Sequence, residues 1–396
     1  MNAYFYDAVR TARGRLSEDG GLKDKKPTEL VSALANELMN RYDQIDVGDL
    51  VLGCVTQSGE QGGHIARTSV LTSNLPNDVS ALSINNFCCS GLDACFIAAS
   101  KATMTNIMAF AGGVEHMSRV MAFSDKGPYY SDTATMKAAK FVPLWYAADF
   151  IATLNGVTRE EADTYAVSSQ HKATAFADRE VKNKASIVGI ETENGIFDTE
   201  QNPRRNSSTS KLAAFEPLVN VMGPPGLDKV FLKHYPEFTE VDHIHHVGTA
   251  PALADAASLC MIGSKEAGDH HGLKPRARIK AYATKSGDAL LSLTGGIEAA
   301  KAALQMANMT ASDLDLVEFN EAYAALPILF QRELEIDMNK INVNGGAIAL
   351  GHPMGATGGI LIGTLLDELE HRGQSIGMVA MSGASGVGSA MIIERL

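Results

Sequence analysis

Short apolar runs alternate with alanine- and glycine-rich helical segments at both ends of this 396-residue chain, and that alternation restricts the fold most. AYFYDAV at the start reads as a strand. Thr28–Arg41 reads as a helix, with Leu30, Val31, Leu34, Leu38 and Met39 on one face and Pro27 just ahead of it. DLVLGCV (Asp49–Val55), SALSIN (Ser80–Asn85) and NIMAFAGG read as buried strands, and Ser90–Thr103 as a buried helix. Toward the C-terminus ARIKAYA, LDLVEF and GMVAM repeat the strand signal, while Gly296–Asn308, Ala322–Leu334 and Thr357–Leu369 repeat the helix signal. Strands alternating with helices imply an α/β class, with sheets covered by helices. The element order is duplicated, although the halves share no useful residue identity.

Between the halves, from Arg119 to Val247, the chain changes character: GPYY, the helical TREEADTYAVSSQHKATAFA, the polar NPRRNSSTSK and GPPGLDK follow one another. Such a loop-rich insertion is expected to form a lid or ligand-binding domain. The expected division is therefore 1–118 with 248–265 as the N-terminal half, 119–247 as the insertion and 266–396 as the C-terminal half.

Composition narrows the function. Lys plus Arg against Asp plus Glu is 34 against 46, a net charge of −12, which disfavours nucleic acid and anionic membranes as partners. No apolar run approaches the roughly 20 residues that span a bilayer. MNAYFYDAVR lacks a basic stretch followed by an apolar core, so a cytoplasmic protein without a secretory signal is expected. Cys54, Cys88, Cys89, Cys95 and Cys260 form no CxxC pair and fit reduced thiols.

Four segments carry residues suited to chemistry. In INNFCCSGL (Ile84–Leu92) a strand ends and a helix begins after two cysteines. A thiol there meets the positive end of the helix dipole, which favours the thiolate; equally, cysteine is a small buried hydrophobe. VNGGAIALGHPMGATGG (Val343–Gly359) sets His352 in a glycine-dense turn, as a base or as an incidental side chain. In EFNEAYAAL (Glu318–Leu326), Asn320 or Glu321 could cap the following helix. MSGASGVGS (Met381–Ser389) is either a tight turn between strands or a place where backbone N–H groups meet a reacting carbonyl. His243, His245 and His246 look metal-like but lack a matching acidic or cysteine partner in sequence, so no metal is expected. GGVEHMSR is glycine-rich without the GxGxxG pattern, so a dinucleotide site is not supported.

In this order the segments resemble the thiolase family. INNFCCSGL is similar to its nucleophile segment, with Cys88 as the reactive cysteine and Cys89 at the following small-residue position. GGVEHMS, NEAYA and NGGAIALGHP are similar to three further thiolase motifs, DAVRTARGR to the family's start, and TREEADTYAVSSQ to its loop domain. The resemblance covers nearly the whole chain. It implies two similar βαβαβαββ halves in a five-layered α-β-α-β-α core, with a coenzyme A thioester as substrate and no cofactor. Cys88 would be acylated, and His352 would take its proton. Asn320 would hold a water that donates to the thioester oxygen. The backbone N–H groups of Cys88 and Ala384 would form a second oxyanion hole. The activity implied is that of an acetyl-CoA C-acyltransferase of fatty acid metabolism, working as a homodimer or homotetramer on acyl-CoA, acetyl-CoA and CoA.

Five residues at three sites depart from the family. Ser382 stands where thiolases carry a second cysteine, the acid/base at the α-carbon. A hydroxyl is far less acidic than a thiol, whose pKa lies near 8.5. Pro251 and Ala252 replace Ser-Gly beside the pantetheine arm, and Leu144 and Trp145 replace Met-Gly in the acyl pocket; with Gly383 these are the expected substrate-binding residues. Two other classes therefore stand beside the thiolase reading: an enzyme that loads Cys88 but passes the acyl group to another acceptor, including water, and a non-catalytic acyl-CoA-binding subunit.

Overall fold

The computed structural model describes residues 2–42, 45–179 and 186–396. In the N-terminal half β1 (Ala3–Thr11), α1 (Pro27–Arg41), β2 (Val47–Gly53), α2 (Ile65–Leu71), β3 (Ser80–Ile84), α3 (Ser90–Thr105) and β4 (Met108–Glu115) follow one another. The long connection carries α4 (Leu144–Leu154) and α5 (Arg159–Ala177) before the chain returns through β5 (Ala254–Ser264). The C-terminal half holds β6 (Ala277–Ser286), α6 (Gly295–Ala307), β7 (Leu316–Phe319), α7 (Ala325–Leu334), α8 (Thr357–Arg372), β8 (Ile376–Ser382) and β9 (Val387–Arg395).

The strand order β3-β2-β4-β5-β1 in the first half matches β7-β8-β9-β6 in the second, extended beyond β7 by one parallel bridge between Val317 and Ile341. That bridge holds the place of β3, so the duplication read from the sequence is real in space. The two sheets meet where β1 pairs β6 at Tyr4–Arg278 and Phe5–Ala277. Helix α1 packs outside the first sheet and α6 outside the second, while α3 and α8 pack against each other between them. This is the five-layered arrangement.

Burial explains why the middle layer reads as alanine and glycine. Ala94, Ala98, Ala99 and Ala102 of α3 are fully buried, and small side chains let a helix lie between two sheets. Closest of all are the N-terminal tips of α3 and α8. A Cβ on Gly91 would lie 2.5 Å from the carbonyl oxygen of Gly355, and one on Gly358 would lie 2.1 Å from the backbone nitrogen of Leu92. Only glycine permits that approach, and it brings the turns preceding both helices to one place.

The connection is stitched to the core. Ile187–Val188 adds to β1 in parallel. Glu200 accepts from the Arg10 guanidinium at 2.8 Å, and from the Arg13 guanidinium at 2.6 Å and backbone N–H at 2.7 Å. Two sequence expectations shift. Helix α7 begins at Ala325 rather than Ala322, capped by neither Asn320 nor Glu321. The three histidines do have acidic partners, supplied by distant residues: His243 lies between Asp149 and Asp228, His245 binds Asp149 at 2.7 Å, and His246 binds Asp163 at 2.7 Å. These pairs tie the chain before β5 to α4 and α5, and among the described residues no group of side chains could hold a metal ion.

Candidate active site

Strand β3 ends at Ile84, and the next five residues turn sharply into α3. Phe87 sits at φ 49°, a strained value for a bulky residue. The strain is held by local hydrogen bonds: Phe87 N–H donates to Asn85 Oδ1 at 2.9 Å, Asn86 N–H to Ser90 Oγ at 2.8 Å, and Ser90 Oγ–H to the Phe87 carbonyl at 2.6 Å. The turn presents Cys88 to a cavity of about 540 Å³. Its sulfur meets the backbone N–H groups of Cys88 and Ala384. Burial, with a smaller push from the Glu115 carboxylate, outweighs those donors and holds the thiol up at about 12. Cys88 is therefore a protonated thiol at rest, and the dipole of α3 alone does not make it a thiolate. Cys89 points elsewhere, into the middle layer, with its sulfur 3.5 Å from the Met381 carbonyl.

A histidine comes from the other half. His352 lies in the turn before α8 and lines the same cavity. Its Nδ1 bonds Thr357 Oγ1 at 2.8 Å, leaving Nε2 without a partner among the described residues. Burial first, then the Arg13 guanidinium, lower its pKa to about 4, so the imidazole is neutral and able to accept a proton. Its turn is fixed from two sides. His352 N–H donates to the Ala252 carbonyl at 2.7 Å. Just beyond, Glu115 accepts from Gly355 N–H at 3.1 Å, as well as from Val55 and Thr56 N–H and the Gln61 amide.

Cys88, His352, Ala384, Leu144, Trp145 and Pro251 all line the cavity. The others stand behind it. Asn320, at the end of β7, is 1 % exposed, and neither its Nδ2 nor its Oδ1 has a partner among the described residues. A fully buried, unpaired amide is costly unless something polar reaches it. Ala252 supports His352 through its backbone. Gly383 packs on the nucleophile turn, where a Cβ would lie 3.2 Å from Phe87 Cβ and 3.4 Å from the Cys88 nitrogen. Ser382 is fully buried, and its hydroxyl accepts from Gly296 N–H at 3.0 Å.

Residues beyond the sequence candidates, with Glu321 in a role other than the expected cap, complete the site. Thr357 orients His352, and Glu115 ties the turn after His352 to Val55 and Thr56 beyond β2. Tyr323, inside the NEAYA segment, puts its ring into the cavity wall. Glu321, beside it, accepts from Tyr165, Ser169 and the Ile348 N–H, bracing the base's loop against α5. Phe123, Tyr129, Tyr130 and Phe141 line the cavity from the connection. Phe123 and Phe141 lie in loops and Tyr129 and Tyr130 in the one-turn helix Pro128–Ser131, too short to show a periodic signal.

A buried cysteine on a strained strand-to-helix turn, with two backbone N–H groups at its sulfur and a neutral histidine lining the same cavity, is an arrangement suited to acyl transfer through a cysteine thioester. The thiolase N-terminal domain model matches residues 4–224, and the thiolase C-terminal domain model matches residues 273–395. A steroid 3-ketoacyl-CoA thiolase of Mycobacterium tuberculosis is 34% identical over 409 aligned residues, covering 100% of this chain and 94% of its own. A 3-ketoacyl-CoA thiolase of Acinetobacter baumannii is 35% identical over 402, covering 98% and 97%. The crystal structure of an acetyl-CoA acetyltransferase of Bacillus anthracis superposes with a TM-score of 0.85 at 27% identity, covering 100% of this chain and 99% of the other. The chain belongs to the thiolase family.

Proposed function

We propose that this acyltransferase cleaves 3-ketoacyl-CoA with CoA, or runs the reverse condensation with acetyl-CoA, through an acyl thioester on Cys88. One observation carries the reading: the Cys88 sulfur, the Cys88 and Ala384 N–H groups and the unpaired Nε2 of His352 belong to one cavity. His352 takes the Cys88 proton, and the thiolate attacks the 3-keto carbon while the two N–H groups hold the developing oxyanion. The bond between C2 and C3 breaks, its electron pair leaves on the acetyl-CoA fragment as an enolate, and C2 gains the proton that His352 took from Cys88, which leaves the imidazole neutral again. CoA thiol then attacks the Cys88 thioester, giving its proton to His352, which returns it to the departing Cys88 sulfur as the shortened acyl-CoA is released. Asn320, with both ends of its amide unpaired, is the group to hold a water against the thioester oxygen. Pro251, with Leu253 beside it, and Leu144 with Trp145 would flank the pantetheine arm and the acyl group respectively. Segment 119–247 is the lid of this site.

A second reading has its own observation. The Ser382 hydroxyl is occupied by Gly296 N–H and stands behind the cavity wall, which supports slow proton transfer at C2 and release of the acyl group to another acceptor, including water. Purified protein given acetoacetyl-CoA and CoA decides between them. On the thiolase reading acetyl-CoA forms catalytically in the wild type. Formation of no more than one acetyl-CoA per Cys88, released as the cysteine loads, together with turnover restored by Ser382→Cys, would establish the second. No loading at all would leave an acyl-CoA-binding subunit.

We also infer a cytoplasmic role in fatty acid metabolism and a homodimer. Strand β3 is a sheet edge carrying half-exposed Leu82, a surface suited to a second copy of the chain. Among the described residues no helix is long and apolar enough to cross a membrane.

A further inference from the structure

The cavity is much larger than an acetyl group needs. An apolar cavity of about 150 Å³ already holds a benzene ring, and this one encloses about 540 Å³. Its wall differs from side to side. Val247, Ala250, Pro251 and Leu253, the last bridged to His352, form an aliphatic side. The side running out from the nucleophile turn is built of rings. Phe87 stands 5.7 Å from Tyr129, Tyr129 5.1 Å from Phe141, and Phe123 4.9 Å from Tyr130, with Trp145 at the head of α4 in the same wall.

The polar ends of the two tyrosine rings are already used, while the Trp145 indole N–H is buried without a partner among the described residues. The Tyr129 hydroxyl is bonded by Ser292 and by the backbone of Ser385, and the Tyr130 hydroxyl donates to Asp125. What they offer the cavity is ring surface. No Asp, Glu, Lys or Arg lines the wall among the described residues, so an acyl group ending in a charge would find no partner. Rings packed tilted or edge to face around an apolar space favour a flat, rigid occupant, which gains ring–ring contacts beyond simple burial and loses little freedom.

From this we infer that the acyl group loaded on Cys88 is an uncharged, ring-bearing one, aromatic or fused alicyclic, and that Phe141 and Tyr129 set this preference. The inference rests on the thiolase reading and adds the substrate class to it. The test compares kcat/KM for acetoacetyl-CoA, 3-ketodecanoyl-CoA, 3-keto-5-phenylpentanoyl-CoA and a 3-ketoacyl-CoA ending in a carboxylate, with intact-mass detection of acylated Cys88 for each. The phenyl substrate should exceed acetoacetyl-CoA by about tenfold or more, and the carboxylate-ended one should be poorest. Phe141→Ala should lower the ratio of phenyl to linear substrate by roughly tenfold, and the milder Phe141→Leu should lower it in the same direction. Equal or better use of acetoacetyl-CoA or of the carboxylate-ended substrate would overturn the inference. So would a ratio that neither variant moves. Failure of every thioester to acylate Cys88 would instead overturn the thiolase reading, and this inference with it.

Discussion

The two halves run through the same elements in the same sheet order, yet each bends its third connection to a different purpose. In the N-terminal half β3 passes to α3 through a short turn strained at Phe87, and that turn holds a thiol against two backbone N–H groups. In the C-terminal half the equivalent passage runs from Ile341 to α8 through a long, glycine-dense excursion, with Gly345 at φ 78° and Gly351 at φ 107°. It carries a base. A short strained turn fixes one atom well but has no room for a second group. The long excursion gives up a full strand, keeping only the Val317–Ile341 bridge, and reaches across the contact between α3 and α8. The lesson is that a duplicated fold makes an active site by breaking its own symmetry at one connection.

Breaking the arm that carries the base should have the largest effect. His352→Asn keeps the turn but removes the proton acceptor, and acylation of Cys88 in single-turnover mass spectrometry should slow by about 10² to 10⁴-fold. Next comes the ion cluster that locks the connection to β1. Glu200→Ala leaves Arg10 and Arg13 as buried, uncompensated charges, and denaturant unfolding should read a loss of about 3–5 kcal/mol. Thr357→Val removes the hydrogen bond that orients His352; acylation should slow by roughly fivefold, with the thermal midpoint little changed.

The smallest expected effect concerns pH. An ordinary imidazole with pKa near 6.5 would be about nine-tenths protonated at pH 5.5. Burial, and then Arg13, keep His352 neutral down to about 4, so the acylation rate at pH 5.5 should stay above half its value at pH 7.5 while the fold is intact. An acid limb centred near 6.5 would show that His352 is more solvated than its burial implies.

The alternation of strands and helices, and most element boundaries, were legible because periodicity is local. Cys88 and His352 were legible as candidates from their turns, although their being opposite one another was not, since it depends on Gly91 and Gly358 letting two helix tips touch. Asp149, Asp163 and Asp228 were invisible as partners of His243, His245 and His246 because they lie far away in sequence and meet them only after folding. Ser382 was visible as a departure, but its bond to Gly296 N–H was not. Of the aromatic wall only Trp145 was legible; Phe123 and Phe141 sit in irregular chain and Tyr129 and Tyr130 in a single helical turn, too short for spacing to carry facial information.

The central claim is that the N-terminal turn supplies the nucleophile and that the first of two adjacent thiols is the one used. Incubation with acetoacetyl-CoA followed by intact-mass and peptide analysis of wild type, Cys88→Ala and Cys89→Ala measures this directly. The account predicts a single acetyl adduct on Cys88 in the wild type and in Cys89→Ala, and none in Cys88→Ala. An adduct that survives Cys88→Ala, or one mapped to Cys89, would contradict it.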